Sequence, residues 1–426
     1  VRQGRRTTLR SVLAAGIAAS LPACTRHAGN GDTVLKFWAM GREGEVVTAL
    51  VPEFERLHPG VKVAVQQLPW TAAHQKLLTA FAGDAMPDLF QLGNTWVAEM
   101  AALRAIEPLD ARVAASPVLD PKDYFRGIWN TNVIDGRLYG VPWYVDTRVM
   151  FYNRELLARA GYPAMPATWD GWMQAMRAVK KLVGPDKYAI LLPHEEFAPL
   201  LVLALQQPEE LLRDGGRHGN FRSASFRRAL AMYSAMYREG LAPMERVSNI
   251  YHEFSTEYVS FYISGPWNIG EFRRRVAPAR QHTWATALMP GPQGPAASLA
   301  GGSSLAVASS SPHKEAAWQL VEFLLRVDTA AKFNALTGNL PPRRANWNDP
   351  RLAGDPPVQA FRLQLENVRP EPRVPEWESI LAELRTMGER VAHGGIGVDA
   401  AAAELDARTD RILEKRRWML DRKARP

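Results

Sequence analysis

Strand, helix, strand is the order in which the globular part of the chain opens, and it constrains the fold more than any other feature. Residues 34–38 read as a short strand, Val46, Val47, Leu50, Phe54 and Leu57 recur at helical spacing, and residues 61–68 alternate as a second strand. His58-Pro59-Gly60 stops the helix between them. Parallel neighbours need such a crossover, so the pattern predicts a βαβ unit and a parallel sheet with helices on its faces. Helical spacing at 72–82 and 95–103 and a third strand at 87–92 extend it. Ligands of such sheets bind beyond the carboxyl ends of the strands. That singles out the loops 38–45, 69–71 and 93–96.

At 426 residues the chain exceeds what one core usually serves, so two compact units are expected. The first residues read differently. Arg2, Arg5, Arg6 and Arg10 precede an apolar run at 11–21 that is too short to span a bilayer, as in a signal peptide over residues 1–23. Gly4 to Arg10 is similar to a twin-arginine export signal, with Thr8 where an aromatic is usual. Cys24, the only cysteine, closes Leu21-Pro22-Ala23-Cys24, which resembles a bacterial lipobox apart from Pro22. These features predict an exported protein lipid-anchored at Cys24, with residues 24–33 as its tether. Cleavage before Cys24 would remove four arginines and lower the formal charge from +8 to +4. The basic clusters Arg273-Arg274-Arg275 and Lys415-Arg416-Arg417 lack interleaved aromatics or a DNA-binding spacing, so no nucleic-acid partner is expected.

No metal-ligand spacing, phosphate loop or nucleophile turn is found, so neither metal, cofactor nor enzymatic activity is expected. Gly394-Gly395-Ile396-Gly397 follows a helix rather than a strand and reads as a helix stop. Thirteen tryptophans, several at loops, instead suit a sugar site. Carboxylates, amides and arginine match the hydroxyl edge of a pyranose, and aromatic faces match its C–H patches. Asp146 interrupts an apolar stretch, where a charge is costly without partners, and Tyr144 shares its face of an extended chain. A salt bridge from Asp146 to Arg148 is the competing reading. A glycoside hydrolase would also combine tryptophans with paired carboxylates.

Phe54-Glu55-Arg56 with His58-Pro59-Gly60-Val61, Pro87-Asp88-Leu89, Tyr139-Gly140-Val141-Pro142 and Phe151-Tyr152-Asn153 occur in order along the chain. Thr168-Trp169-Asp170, Ser264-Gly265-Pro266-Trp267, Gly301-Gly302-Ser303-Ser304 and Ala316-Ala317-Trp318 follow. In this order and spacing the chain resembles the family 1 extracellular solute-binding proteins of ABC importers, and among them the sugar binders of the maltose and trehalose type. The resemblance implies a periplasmic binding protein-like α/β fold, with a ligand cleft and hinge between two lobes. Lobe one would hold residues 34–144 and 284–326, and lobe two residues 145–283 and 327–426. It implies a monomer in the periplasm that binds a glucose disaccharide and docks on membrane permease subunits. The same fold could carry a non-sugar solute. The implied ligand residues are Glu45, with Glu43 as alternative, Asn94, Tyr144, Asp146, Trp267, Gly302, Ser303, Arg343, with Arg344 as alternative, and Trp377.

Overall fold

The computed structural model describes residues 32–193 and 196–423. The export signal, Cys24 and the tether lie outside the described residues, apart from Asp32 and Thr33. Two mixed sheets organise the chain. Their strands are β1 (Thr33–Met40), β2 (Val61–Leu68), β3 (Leu89–Gly93), β4 (Val141–Val145), β5 (Val149–Asn153), β6 (Ile190–Leu191), β7 (Phe261–Ser264), β8 (Trp284–Ala287) and β9 (Gly302–Val307). The first sheet runs β2-β1-β3-β9-β4, with β1 parallel to β2 and β3 and β9 antiparallel to both its neighbours. The second runs β8-β5-β7-β6.

Alternation along each strand explains why both sheets are covered on two sides. In the first, Leu35, Phe37 and Leu89 enter one core with Phe54 and Trp143, whereas Phe90 and Leu92 enter another with Leu77 and Val97. In the second, Met150 packs beneath the helices of residues 169–183 and 224–238, while Val149 and Phe151 pack with Phe272, Trp284 and Phe361 on the opposite side. The helix expected through residues 46–57 is two, α1 (Gly41–Val47) and a second at Val51–Leu57. Pro52 in the first turn of the second has no N–H to continue a helical ladder. Four further helices bear on the site: α2 (Trp70–Ala82), α3 (Trp267–Arg275), α4 (Val327–Thr337) and α5 (Trp377–Ala392). Among the described residues, no helix is long and apolar enough to cross a membrane.

Three connections join the two sheets, and two of them differ from expectation. The first, Asp146 to Arg148 between β4 and β5, follows shortly after the boundary expected at residue 144, with Val145 still paired in the first sheet. The second was expected at 281–284, but β8 pairs along its length with β5, from Trp284↔Asn153 to Ala287↔Met150, so it belongs to the second sheet. The chain crosses later, at Ala300 and Gly301, between Leu299, paired with Arg369, and β9. The third was expected at Val327, yet α4 packs on α1, and its Phe333 stacks on Trp143 of the first core with centroids 4.5 Å apart. The return comes near Leu340, whose carbonyl accepts from the Val145 N–H at 2.9 Å. Residues 284–299 therefore leave the expected first lobe, and residues 327–339 join it.

Candidate ligand-binding cleft

Between the sheets lies a cleft of about 510 Å³, within the range of small-molecule sites. Its first wall begins where β1 turns into α1 at Gly41, whose φ of +49° favours glycine. A Cβ there would lie 2.8 Å from Cδ1 of Trp70, so the glycine lets that indole lie across the turn. Glu43, two residues on, is buried; Oε1 accepts from Asn339 Nδ2 at 2.6 Å and Oε2 has no partner among the described residues. A buried carboxylate oxygen without a donor is costly, so the site favours a ligand that brings one.

Trp70 and Trp96 stand 5.7 Å apart at the edge of this wall, and the ring of His74 lies 5.0 Å from Trp96. His74 Nε2 meets Glu99 at 2.6 Å, and that hydrogen bond raises the imidazole above its usual range. Asn94 follows β3 with its amide tied at both ends, donating to the Ala300 carbonyl at 3.3 Å and accepting from Ser304 Oγ at 3.2 Å. The Tyr144 hydroxyl accepts from Gln91 at 3.3 Å, and burial pushes this phenol well above its ordinary value.

The second wall starts at Asp146. Burial raises its carboxyl, and Arg148 opposes the shift by donating to Oδ1 at 2.5 Å. The Arg148 guanidinium also lies over the Trp267 ring, 4.6 Å from its centroid. Trp267 starts α3 and is 41% exposed. Glu371 and Glu378 complete this side, with Phe197 and Leu381. Across the cleft, Thr95 Oγ1 donates to Glu378.

Residues 40–331 match the sequence profile of the bacterial extracellular solute-binding proteins, more than half of the chain. The chain belongs to that family. This solute-binding protein is 52% identical to the sugar-binding protein MalE from the phytopathogen Xanthomonas citri, with a TM-score of 0.88 over 91% of this chain and 99% of that one. It is 24% identical to the diacetylchitobiose binding protein of Streptomyces coelicolor over 93% of this chain and 96% of the relative. An ABC transporter solute-binding protein of Thermotoga lettingae bound with alpha-D-tagatose shares the fold at a TM-score of 0.76 and 24% identity, covering 90% of this chain and 100% of that one.

In this solute-binding protein the cleft brings together five of the expected residues, Asn94, Tyr144, Asp146, Trp267 and Gly302. Four others lie elsewhere. Glu45 is exposed and pairs with Arg42 at 3.3 Å, because two residues along a helix turn about 200° and only Glu43 faces inward. Ser303 is fully buried between β3 and β4, and its hydroxyl donates to the Leu92 carbonyl at 2.8 Å. Arg343 is held away by Asp123 at 2.7 Å and the Leu325 carbonyl at 2.7 Å, and Arg344 by Glu366. Trp377 is buried in the core of the second lobe, and its indole N–H donates to Glu371. Its contribution to the cleft is the carboxyl it holds.

The sequence reading gave Glu43 only as an alternative, Arg148 only as a partner for Asp146, and did not single out Asn339, Glu371 or Glu378. Apolar spacing gave no signal to separate Glu43 from Glu45, because the Gly41 turn sets the phase of α1. None existed for Asn339 and Glu371, which are brought in by distant segments.

Proposed function

We propose that this protein binds a small oligosaccharide, a glucose disaccharide of the maltose or trehalose type, and delivers it to the permease of an ABC importer. The observation that carries this is the pairing, in one cleft, of partly exposed indoles at Trp70 and Trp267 with carboxyls at Glu43 and Asp146. Indole faces suit the C–H patches of a pyranose and carboxylates its hydroxyls. The kinship with a sugar-binding MalE at 52% identity supports the same class. Its relatives are binding proteins, which favours retention and release over turnover. Export, with an acyl anchor at Cys24, would hold the protein beside its importer.

A thermal-shift screen against maltose, trehalose, diacetylchitobiose and glucose tests this directly, because a ligand of the folded state raises Tm. Maltose or trehalose should give the largest shift, with calorimetric saturation and unchanged sugar after incubation. Stabilisation by none of the four would reject the sugar reading, and release of glucose with turnover would make the protein a glycosidase.

A further inference from the structure

Four carboxyls line the cleft, Glu43, Asp146, Glu371 and Glu378, and they are not equivalent. Glu43 is bound by the Asn339 amide, Asp146 by Arg148 and Glu378 by Thr95. Each of these receives a hydrogen bond from a polar side chain that itself lines the cleft. Glu371 receives one from behind, from the buried indole of Trp377, on Oε2. As with Oε2 of Glu43, one oxygen, Oε1, is left without a protein partner among the described residues, but here on a side chain that borders both the main cleft and a narrow recess between Asn94, Thr131 and Arg373.

A glycoside offers two kinds of oxygen. Its hydroxyls donate as well as accept, and carboxylates serve them. Its ring and glycosidic oxygens only accept, and they need a donor from the protein. Around this wall Asn94, Asn339, Thr95 and Arg148 each already give one donor to a group of the protein, the Ala300 carbonyl, Glu43, Glu378 and Asp146 in turn, so a further donor on this wall adds to what a glycoside can use. A carboxyl supplies a donor only when it keeps its proton.

We propose that Glu371 contacts the ligand as a neutral carboxylic acid, accepting the Trp377 N–H on Oε2 and donating from Oε1 to an acetal oxygen of the bound glycoside. The inference rests on the sugar-binding reading of the cleft. The electrostatics agree with it. Burial pushes the Glu371 carboxyl up to about 8, with Glu378 and Asp146 adding to the rise and the Trp377 N–H and Arg148 opposing it. Glu43 adds a further carboxyl to the cleft, and Arg373, on the same segment, donates to the carbonyls of Asn130 and Val133.

Calorimetric titration of the full folded protein with maltose and trehalose from pH 6 to pH 10 tests this, with Glu371→Gln and Glu371→Ala beside the wild type. If the proton is needed, wild-type affinity holds to about pH 8 and then weakens about tenfold per pH unit. Glu371→Gln keeps an N–H donor that does not ionise, so its affinity should stay level over the whole range. Glu371→Ala should bind at least about tenfold more weakly at pH 7 while its circular dichroism stays native. A wild-type affinity that is flat to pH 10, or an alkaline loss that persists in Glu371→Gln, would overturn the inference and leave the sugar reading standing. Binding of neither sugar by the wild type at any pH would remove the disaccharide reading and this inference with it.

Discussion

The guanidinium carbon of Arg148 lies over the Trp267 ring, 4.6 Å from the indole centroid, while the same guanidinium donates to Asp146. The indole that a sugar would stack on is thus positioned by a cation, and the cation by a carboxylate of the hinge. Stacking on arginine leaves a planar, weakly hydrated surface beside the indole rather than a bare apolar patch. The salt bridge from Asp146 to Arg148, the competing reading of the sequence, is present, and the pair borders the cleft.

Gly265 sets the place of that indole. A Cβ at this position would fall 1.9 Å from a ring carbon of Trp267, so Gly265→Ala must displace the ring. Trp267→Ala should weaken sugar binding roughly 10- to 100-fold, or about 1–3 kcal/mol, the scale of an aromatic anchor. Gly265→Ala should lose a comparable amount, and the double mutant should lose no more than Trp267→Ala alone. Additive losses by calorimetry would show that the glycine acts on something other than the indole.

How far such residues can be read from sequence depends on how local their cause is. Thr168 caps the helix of residues 169–183, its Oγ1 accepting from the Gly171 N–H at 3.1 Å, and such a cap can be read from sequence because it is a matter of adjacent residues. Tyr144 and Asp146 were legible through the two-residue period of an extended chain. Glu43 and Glu45 could not be separated, since the phase of a seven-residue helix is set by the turn at Gly41 rather than by an apolar stripe. Trp377 was misjudged although its helix repeats Trp377, Ile380, Leu381 and Leu384, all buried, which is the spacing of a core face. The sheet to which Trp284–Ala287 belongs had no local signature, because four residues of strand do not specify their partner.

The third crossing can be tested through Phe333. Its ring is buried and stacked on Trp143 of the first core, although the sequence reading assigned its helix to the second lobe. Phe333→Ala should cost about 3–5 kcal/mol of stability, the usual price of deleting a buried ring. A urea midpoint equal to that of the wild type would mean that α4 contributes little to the first core.

Glu371 also links stability to pH, in a direction opposite to that of an ordinary salt-bridged acid. Its carboxyl ordinarily titrates near 4.5 and is pushed up to about 8 in the fold. Between these values the native state binds more protons than the unfolded one, so this group lowers stability as pH rises from about 4.5 to about 8. Above that window the loss is complete. Glu371→Gln should therefore have a higher Tm than the wild type at pH 9, and the difference should shrink towards pH 4. An equal gap at both pH values would show that the carboxyl titrates normally.

Retention at the membrane depends on Cys24 in the proposed scheme. Cys24→Ala should move the exported protein from the membrane fraction to the soluble fraction, or leave its precursor unprocessed, because the acyl chain is the anchor. Fractionation that finds both forms equally membrane-bound would rule out lipidation at this cysteine.

Closure of the cleft follows from how the two walls are joined. The three connections lie together: the Asp146 N–H donates to the Gly301 carbonyl at 3.1 Å and the Val145 N–H to the Leu340 carbonyl at 2.9 Å. Such a cluster of strand ends can act as a hinge for rigid lobes. Away from it, Thr95 of the first wall donates to Glu378 of the second, a bond that only a narrow cleft can make. A sugar held by Glu43 and Trp70 on one side and by Trp267 on the other adds contacts of the same kind, and it shifts the equilibrium by its differential affinity for the closed form. Small-angle scattering should therefore show the radius of gyration falling when maltose or trehalose saturates the protein. Thr95→Ala removes that bond, while those of Arg373 to the Asn130 and Val133 carbonyls remain, and should enlarge the unliganded radius, with saturating sugar bringing it back to the wild-type closed value. An unchanged radius on binding, with Thr95→Ala indistinguishable from the wild type in both states, would mean that the lobes do not move and that an importer must recognise the loaded protein by something other than its shape.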